Sequence, residues 1–318
     1  MKKAFITGIT GFAGSFLAEH LLELHEYEVS GTYLTDKSLE NVSSASGEIK
    51  LHRVDLQEKK EIQEIISKVS PDLIFHLAAL TAPGESFDNP GEFITNNISA
   101  QVNLLESVRK ANIAPRILIV SSAEVYGNVK AEDLPIDENT PIRPVNPYAV
   151  SKVAQDFLGL QYFLSYKVPI IRVRPFNHVG ARQSPSFVVS SFAKKIAEIE
   201  KGKIAPVLKV GNLSAKRDFT DVHDTVGAYV RILEQGDPGE VYNIGSGRSI
   251  QIREILDKLL SFSEKTIKVE QDESLMRPVD VPELVCDNSK IRNATGWEPK
   301  IPIEETLKQT LDYWRSQV

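Results

Sequence analysis

Lys2-Lys3-Ala4-Phe5-Ile6-Thr7-Gly8-Ile9-Thr10-Gly11-Phe12-Ala13-Gly14 opens this chain, and its reading decides the fold. Residues 3–7 suit a short buried strand, and residues 12–24 carry apolar side chains at helical spacing. Between them, Gly8, Gly11 and Gly14 stand three apart. Glycines at a strand-to-helix turn let the backbone approach a pyrophosphate, which the N-terminus of the helix then stabilises. A signal peptide is the competing reading, since two lysines precede an apolar run. Three glycines interrupt that run, Glu19 and His20 end it, and no small-residue cleavage pattern follows. The turn therefore predicts a dinucleotide site formed by Gly8, Thr10, Gly11, Phe12, Ala13 and Gly14.

Outward from this turn, strands and helices alternate. Strands are predicted at 3–7, 28–33, 49–54, 72–77, 116–121 and 168–174. Helices are predicted at 12–24, 58–69, 92–112, 149–165, 221–235, 250–261 and 303–315. Continuous apolar runs such as Leu73-Ile-Phe75 and Ile117-Leu-Ile-Val120 suit a parallel sheet covered on both faces. Alternation with right-handed crossovers makes this an α/β protein with a doubly wound parallel sheet. After Arg174 the elements shorten, punctuated by Pro, Gly and Asn. The expected division is a dinucleotide-binding domain over 1–173, to which part of 215–245 returns, and a smaller mixed α/β substrate lobe over 174–318. That lobe should close over the carboxyl edge of the sheet, where ligands of such folds bind.

Bulk composition narrows the class. The 318 residues include 37 Lys and Arg against 43 Asp and Glu, for a net charge of −6. No basic stripe is available to neutralise nucleic-acid phosphates. The single cysteine, Cys286, excludes a disulfide framework and suits the reducing cytoplasm. Six scattered histidines indicate no metal site, and no apolar run has the length of a membrane span.

The chemistry is concentrated in Ser121-Ser122-Ala-Glu124 and Tyr148-Ala-Val-Ser-Lys152. Residues four apart share a helix face, which places Lys152 beside Tyr148. An adjacent ammonium favours ionisation of a phenol whose ordinary pKa is about 10, so a lowered Tyr148 pKa is expected. Such a tyrosine exchanges protons with a carbinol or carbonyl at neutral pH.

The glycine turn, Asp55-Leu56, His76-Leu77-Ala78-Ala79, Ser121 to Gly127 and Tyr148-xxx-Lys152 stand in an order that resembles the extended short-chain dehydrogenases/reductases across nearly the whole chain. The resemblance implies that Asp55 and Leu56 flank the adenine and that Leu77, Ala78 and Ala79 line the cofactor channel. It implies Tyr148 as acid/base, Ser122 as a hydrogen-bond partner of the reacting oxygen, and Lys152 on the nicotinamide ribose. In the second lobe, Arg174-Pro-Phe-Asn177-His-Val-Gly180 and Gly211 to Phe219 resemble the loops of enzymes acting on GDP-linked sugars. So does Met276-Arg277-Pro-Val-Asp280. Asn177, Arg217 and Arg277 would then receive a diphosphate, which calls for guanidinium forks converging from separate elements. Arg182 is a further candidate for that role, weighed against a solvated surface position.

Within that family, Glu124 stands where GDP-mannose 4,6-dehydratases place a glutamate. Those enzymes usually carry threonine at the position of Ser122. They also tend to have a basic pair after the second strand, where this chain reads Thr32-Tyr-Leu-Thr-Asp36. These departures, with the short chain, resemble the GDP-6-deoxy-4-keto-D-mannose reductases that form GDP-D-rhamnose. A 4,6-dehydratase is the alternative, followed by an NDP-sugar 4-epimerase and a non-catalytic nucleotide sensor. An acidic residue ending the second strand favours NAD, and an arginine favours NADP. Tyr33 and Leu34 are neither, so either NADPH or NADH is expected. The family resemblance also implies a homodimer, with Leu104, Leu105, Val108, Phe157, Leu158 and Tyr162 either in its seam or facing the sheet.

Overall fold

A computed structural model of the protein describes residues 1–276, 279 and 281–318, with the backbone alone at residue 44. Arg277, proposed above as a diphosphate contact, lies outside the described residues. In chain order the elements are β1 (Lys2–Thr7), α1 (Phe12–Glu23), β2 (Tyr27–Tyr33), β3 (Lys50–Arg53), α2 (Lys59–Val69), β4 (Leu73–His76) and α3 (Pro90–Lys110). Then follow β5 (Arg116–Val120), α4 (Pro147–Tyr166), β6 (Ile170–Pro175), β7 (Asn177–Val179), α5 (Val188–Glu200), β8 (Val207–Val210) and β9 (Lys216–Asp221). The last are α6 (Val222–Gln235), β10 (Val241–Ile244), β11 (Ser249–Gln251), α7 (Ile252–Ser261), β12 (Lys268–Gln271), β13 (Glu283–Leu284), α8 (Ser289–Thr295) and α9 (Ile303–Gln317).

Seven strands form one parallel sheet in the order β10-β6-β5-β4-β1-β2-β3. Strand order reverses between β1 and β4, and the crevice at that switch point is where doubly wound sheets bind dinucleotides. The sheet is buried on both faces, and alternation along single strands shows it. Ile74, Ile117 and Ile119 pack with Ile62 of α2, Leu104 of α3 and Tyr162 of α4. Phe75, Leu118 and Val173 point the other way, toward Leu17 of α1 and Val226 of α6. Full burial of side chains this size contributes roughly 1.5–3 kcal/mol each. Leu104, Leu105, Val108 and Tyr162 are thus core residues of the sheet face, and Phe157 alone of the six seam candidates is exposed, with Leu158 partly buried.

The smaller lobe is built on a four-stranded sheet, β11-β9-β13 with β7 also on β9, and on the pair β12-β8. Its core joins Phe192 and Ile196 of α5, Leu256 and Leu259 of α7, and Leu307 and Leu311 of α9. Helix α5 is not predicted by the sequence pattern. Its opening Val188-Val-Ser-Ser191 is poor in strong helix formers, and the helix is held from outside. Trp314 of α9 donates its indole N–H to Ser190 at 2.9 Å. Trp297 is buried and donates its indole N–H to the Asp224 carbonyl at 3.0 Å.

Candidate active site

One cleft runs from the glycine turn, across the carboxyl ends of β4 and β5, into the smaller lobe. At its nucleotide end the turn is tight. Gly8 adopts φ 71°, and Gly11 donates its N–H to the Gly8 carbonyl at 2.9 Å. A Cβ on Gly14 would lie 2.2 Å from that same carbonyl oxygen, and one on Gly8 3.0 Å from the Ala78 Cα. No side chain caps the start of α1, so its first amides are available to a diphosphate. Thr10, Phe12, Ala13, Asp55, Leu56, Leu77, Ala78 and Ala79 all line the same cleft, as do Tyr33, Leu34 and Thr35 at the end of β2. This cradle fits a nicotinamide dinucleotide. Asp36 pairs with Arg53 at 3.3 Å, and Asp36 is not among the lining residues.

Four side chains meet where β5 ends. Ser122 follows β5, and its hydroxyl accepts the Glu124 N–H at 3.2 Å, nucleating the short turn that presents Glu124. Asn146 caps α4 by accepting the Ala149 N–H at 2.7 Å. Two residues on, Tyr148 enters the cleft, buried against Ser122. Lys152 lies one turn further, its Nζ 6.0 Å from the Tyr148 ring centre.

The electrostatics differ from the sequence expectation. Burial pushes the Tyr148 phenol well above its ordinary pKa, with the Ser122 hydroxyl opposing and Glu124 reinforcing the rise. Lys152 does not offset this. Its ammonium is itself penalised by burial, its pKa falls to about 7, and its Nζ donates to the Val120 carbonyl at 2.9 Å. Desolvation of both groups outweighs the attraction that i,i+4 spacing suggested.

A buried polar network braces this corner from behind. The Thr7 hydroxyl and His76 Nδ1 are 2.8 Å apart, and burial lowers the His76 pKa to about 3, so the ring is neutral. Gln155 links His76 to the Asn97 carbonyl, and the Asn97 amide donates to Ser151 at 2.9 Å. Ser151 donates to the Tyr148 carbonyl at 2.7 Å. Strands β1 and β4 are thereby tied to the turn of α4 that carries the tyrosine.

At the lobe end, Asn177 of β7 and Arg217 of β9 line the cleft together with Lys195 of α5 and Lys209 of β8. Arg217 is set by its neighbour. Asp218, pointing the opposite way, accepts amides from Ser246, Gly247 and Cys286 at 2.7, 2.9 and 3.0 Å, which pins β9. Arg217 itself donates to the Val281 carbonyl at 2.8 Å. Arg182 stands elsewhere. It grips Glu19 of α1 through both terminal nitrogens (3.0 and 2.7 Å), donates to the Asn41 carbonyl at 2.7 Å, and lies 4.0 Å above the Phe16 ring. These partners put it beside the glycine turn rather than among the lobe cations.

Sequence reasoning passed over Asn146, Lys195 and the network through Asn97 and Gln155. Asn146 carried a usable signal, since Asn-Pro directly before an apolar helical run is a capping pattern. Lys195 carried none, because one lysine of an amphipathic helix looks like any other. Among the described residues, no cluster of His, Cys, Asp or Glu could hold a metal, and no helix is long and apolar enough to cross a membrane.

Comparison with known proteins supplies what geometry alone does not. The family model described as GDP-mannose 4,6 dehydratase matches residues 5–310. GDP-6-deoxy-D-mannose reductase of Pseudomonas aeruginosa is 34% identical over 317 residues, spanning 100% of this chain and 98% of that protein. The solved structure of RMD from Pseudomonas aeruginosa complexed with NADPH has a TM-score of 0.87 at 33% identity, with both chains covered 100%. UDP-glucose 4-epimerase of Thermus thermophilus, solved with NAD, has a TM-score of 0.88 at 28% identity, covering 99% of this chain and 100% of that one.

Proposed function

The chain belongs to the GDP-mannose 4,6 dehydratase family, within the extended short-chain dehydrogenases/reductases, and from that premise we propose that it reduces the C4 ketone of GDP-4-keto-6-deoxy-D-mannose to GDP-D-rhamnose. The observation that carries this reading is the full-length likeness to a GDP-6-deoxy-D-mannose reductase.

NADPH or NADH, held by the glycine turn and the residues along the cleft, would supply the hydride for C4. Tyr148 then delivers its phenolic proton to the oxygen at C4, completing the alcohol. Its raised pKa suits this direction, since burial keeps the phenol protonated and ready to act as an acid. Ser122 donates a hydrogen bond to the same oxygen and Lys152 holds the nicotinamide ribose. Arg217, Asn177 and Lys195 receive the GDP diphosphate. Tyr33, Leu34 and Thr35 neither repel a 2′-phosphate nor fork onto one, so both reduced cofactors serve.

Glu124 keeps the 4,6-dehydratase reading in play, because a carboxylate beside the reacting centre is what removal of the C5 proton requires. Incubation with GDP-mannose, and separately with GDP-4-keto-6-deoxymannose and NADPH, distinguishes the two by mass and NMR. Consumption of NADPH with the ketosugar, and inertness toward GDP-mannose, supports the reductase. Loss of water from GDP-mannose overturns it.

We also place the protein in the cytoplasm, as a homodimer. Val150, Phe157 and Leu164 stand seven apart along α4 and are 44%, 49% and 56% exposed, an apolar line suited to helix pairing.

A further inference from the structure

Tyr229 of α6 is fully buried, lines the cleft, and its hydroxyl has no hydrogen-bond partner among the described residues. Its ring is held in the core that joins Phe16 and Leu17 of α1 to Leu118, Val173 and Val226, with Val120 packed against it. That packing fixes the ring beneath the carboxyl ends of β5 and β6. A phenol O–H is strongly driven to find a partner when buried, and a phenylalanine would fill the same apolar space without that need. The unpartnered hydroxyl therefore calls for explanation, and the residue that carries it lines the cleft. Val120, packed against this same core, accepts the Lys152 Nζ at 2.9 Å, which sets Tyr229 at the catalytic end of the cleft rather than at the adenosine end near Leu34 and Asp55, and Tyr148 acts electrostatically on its phenol.

We infer that the Tyr229 hydroxyl is a hydrogen-bond partner of the nicotinamide end of the bound cofactor, engaging its carboxamide from the α6 side while Tyr148 and Lys152 work from the α4 side. A carboxamide offers both a carbonyl acceptor and N–H donors, and a phenol matches either. Tyr229 would thus be a positioning residue that sets the rotation of the nicotinamide ring, and with it which ring carbon faces the sugar. This rests on the nicotinamide-cofactor reading of the cleft.

The test compares two ligands by equilibrium binding, with no turnover needed: NADPH, and 2′-phospho-ADP-ribose, which lacks the nicotinamide. Tyr229→Phe removes one oxygen from a packed ring and leaves the apolar fit intact, and a melting curve checks its folding. The variant is expected to bind NADPH about five- to tenfold more weakly, the scale of one neutral hydrogen bond, and to bind 2′-phospho-ADP-ribose unchanged. Equal affinities of wild type and variant for NADPH overturn the inference and assign the hydroxyl to a buried water. Equal weakening toward both ligands overturns it too, as a general loosening of the cleft. If the wild-type protein binds neither ligand, the cofactor reading itself fails and the inference falls with it.

Discussion

Asn146 donates its side-chain amide to the Glu124 carboxylate at 3.1 Å while its oxygen caps the helix bearing Tyr148 at 2.7 Å. One side chain thus fixes both the start of α4 and the acid group nearest the reacting centre. Asn146→Ala removes both contacts. Loss of the cap costs about 1 kcal/mol of stability, measurable by urea unfolding, and turnover should fall with it. Asn146→Ser restores the cap but does not reach Glu124, so stability should recover while any deficit due to Glu124 placement persists.

Glu124→Gln separates the two reactions of the family. The neutral amide is nearly isosteric and can still face Asn146. A reductase has no proton for Glu124 to remove, so its kcat should change less than about tenfold. A dehydratase loses a general base, which is worth about 10²–10⁴-fold. Steady-state rates of the variant with the ketosugar and NADPH, and in parallel with GDP-mannose, decide between them.

Tyr148→Phe takes away the proton donor while keeping the ring in place. Turnover should drop by about 10²–10⁴-fold, and the dissociation constant for NADPH should stay within about twofold. A comparable loss in NADPH affinity would show that the phenol serves binding rather than chemistry.

Arg182→Gln tests the position of a residue that the sequence associated with the sugar diphosphate. Its ties to Glu19 and the Asn41 carbonyl join α1 to the loop entering the smaller lobe. The KM for NADPH is therefore expected to rise about tenfold, on the scale of one charge-assisted hydrogen bond, with little change in the KM for the sugar nucleotide. The reverse pattern returns Arg182 to the substrate.

Lys152 titrates at about 7 in the folded protein against 10.5 when exposed. Between those values the unfolded chain binds more protons than the folded one, so stability rises with pH across that window. Without cofactor, Lys152→Met should be more stable than wild type near pH 7, and that advantage should shrink as pH approaches 10.5. Melting temperatures of the two proteins measured in parallel check this, and a pH-independent difference would falsify it.

Much of the fold was legible because its signals are local. The glycine turn needs only its own backbone and the flanking strand and helix, and the apolar runs of β4 and β5 carry their double burial in their composition. Elements whose stability comes from partners far along the chain were less visible. Helix α5 rests on Trp314, and strands β7, β11 and β13 are two or three residues long and exist through pairing with β9.

By itself, the sequence determined the doubly wound sheet and the dinucleotide turn, and it set Tyr148 and Lys152 on one face of a helix. Each of these is written in neighbouring residues or in a single periodicity. Only the tertiary structure decided the protonation of that pair, because desolvation depends on everything packed around a group and not on its neighbour four residues away. The same is true of Arg182, drawn to the glycine turn by Glu19, and of Tyr229, whose hydroxyl acquires meaning only where α6 meets the ends of β5 and β6.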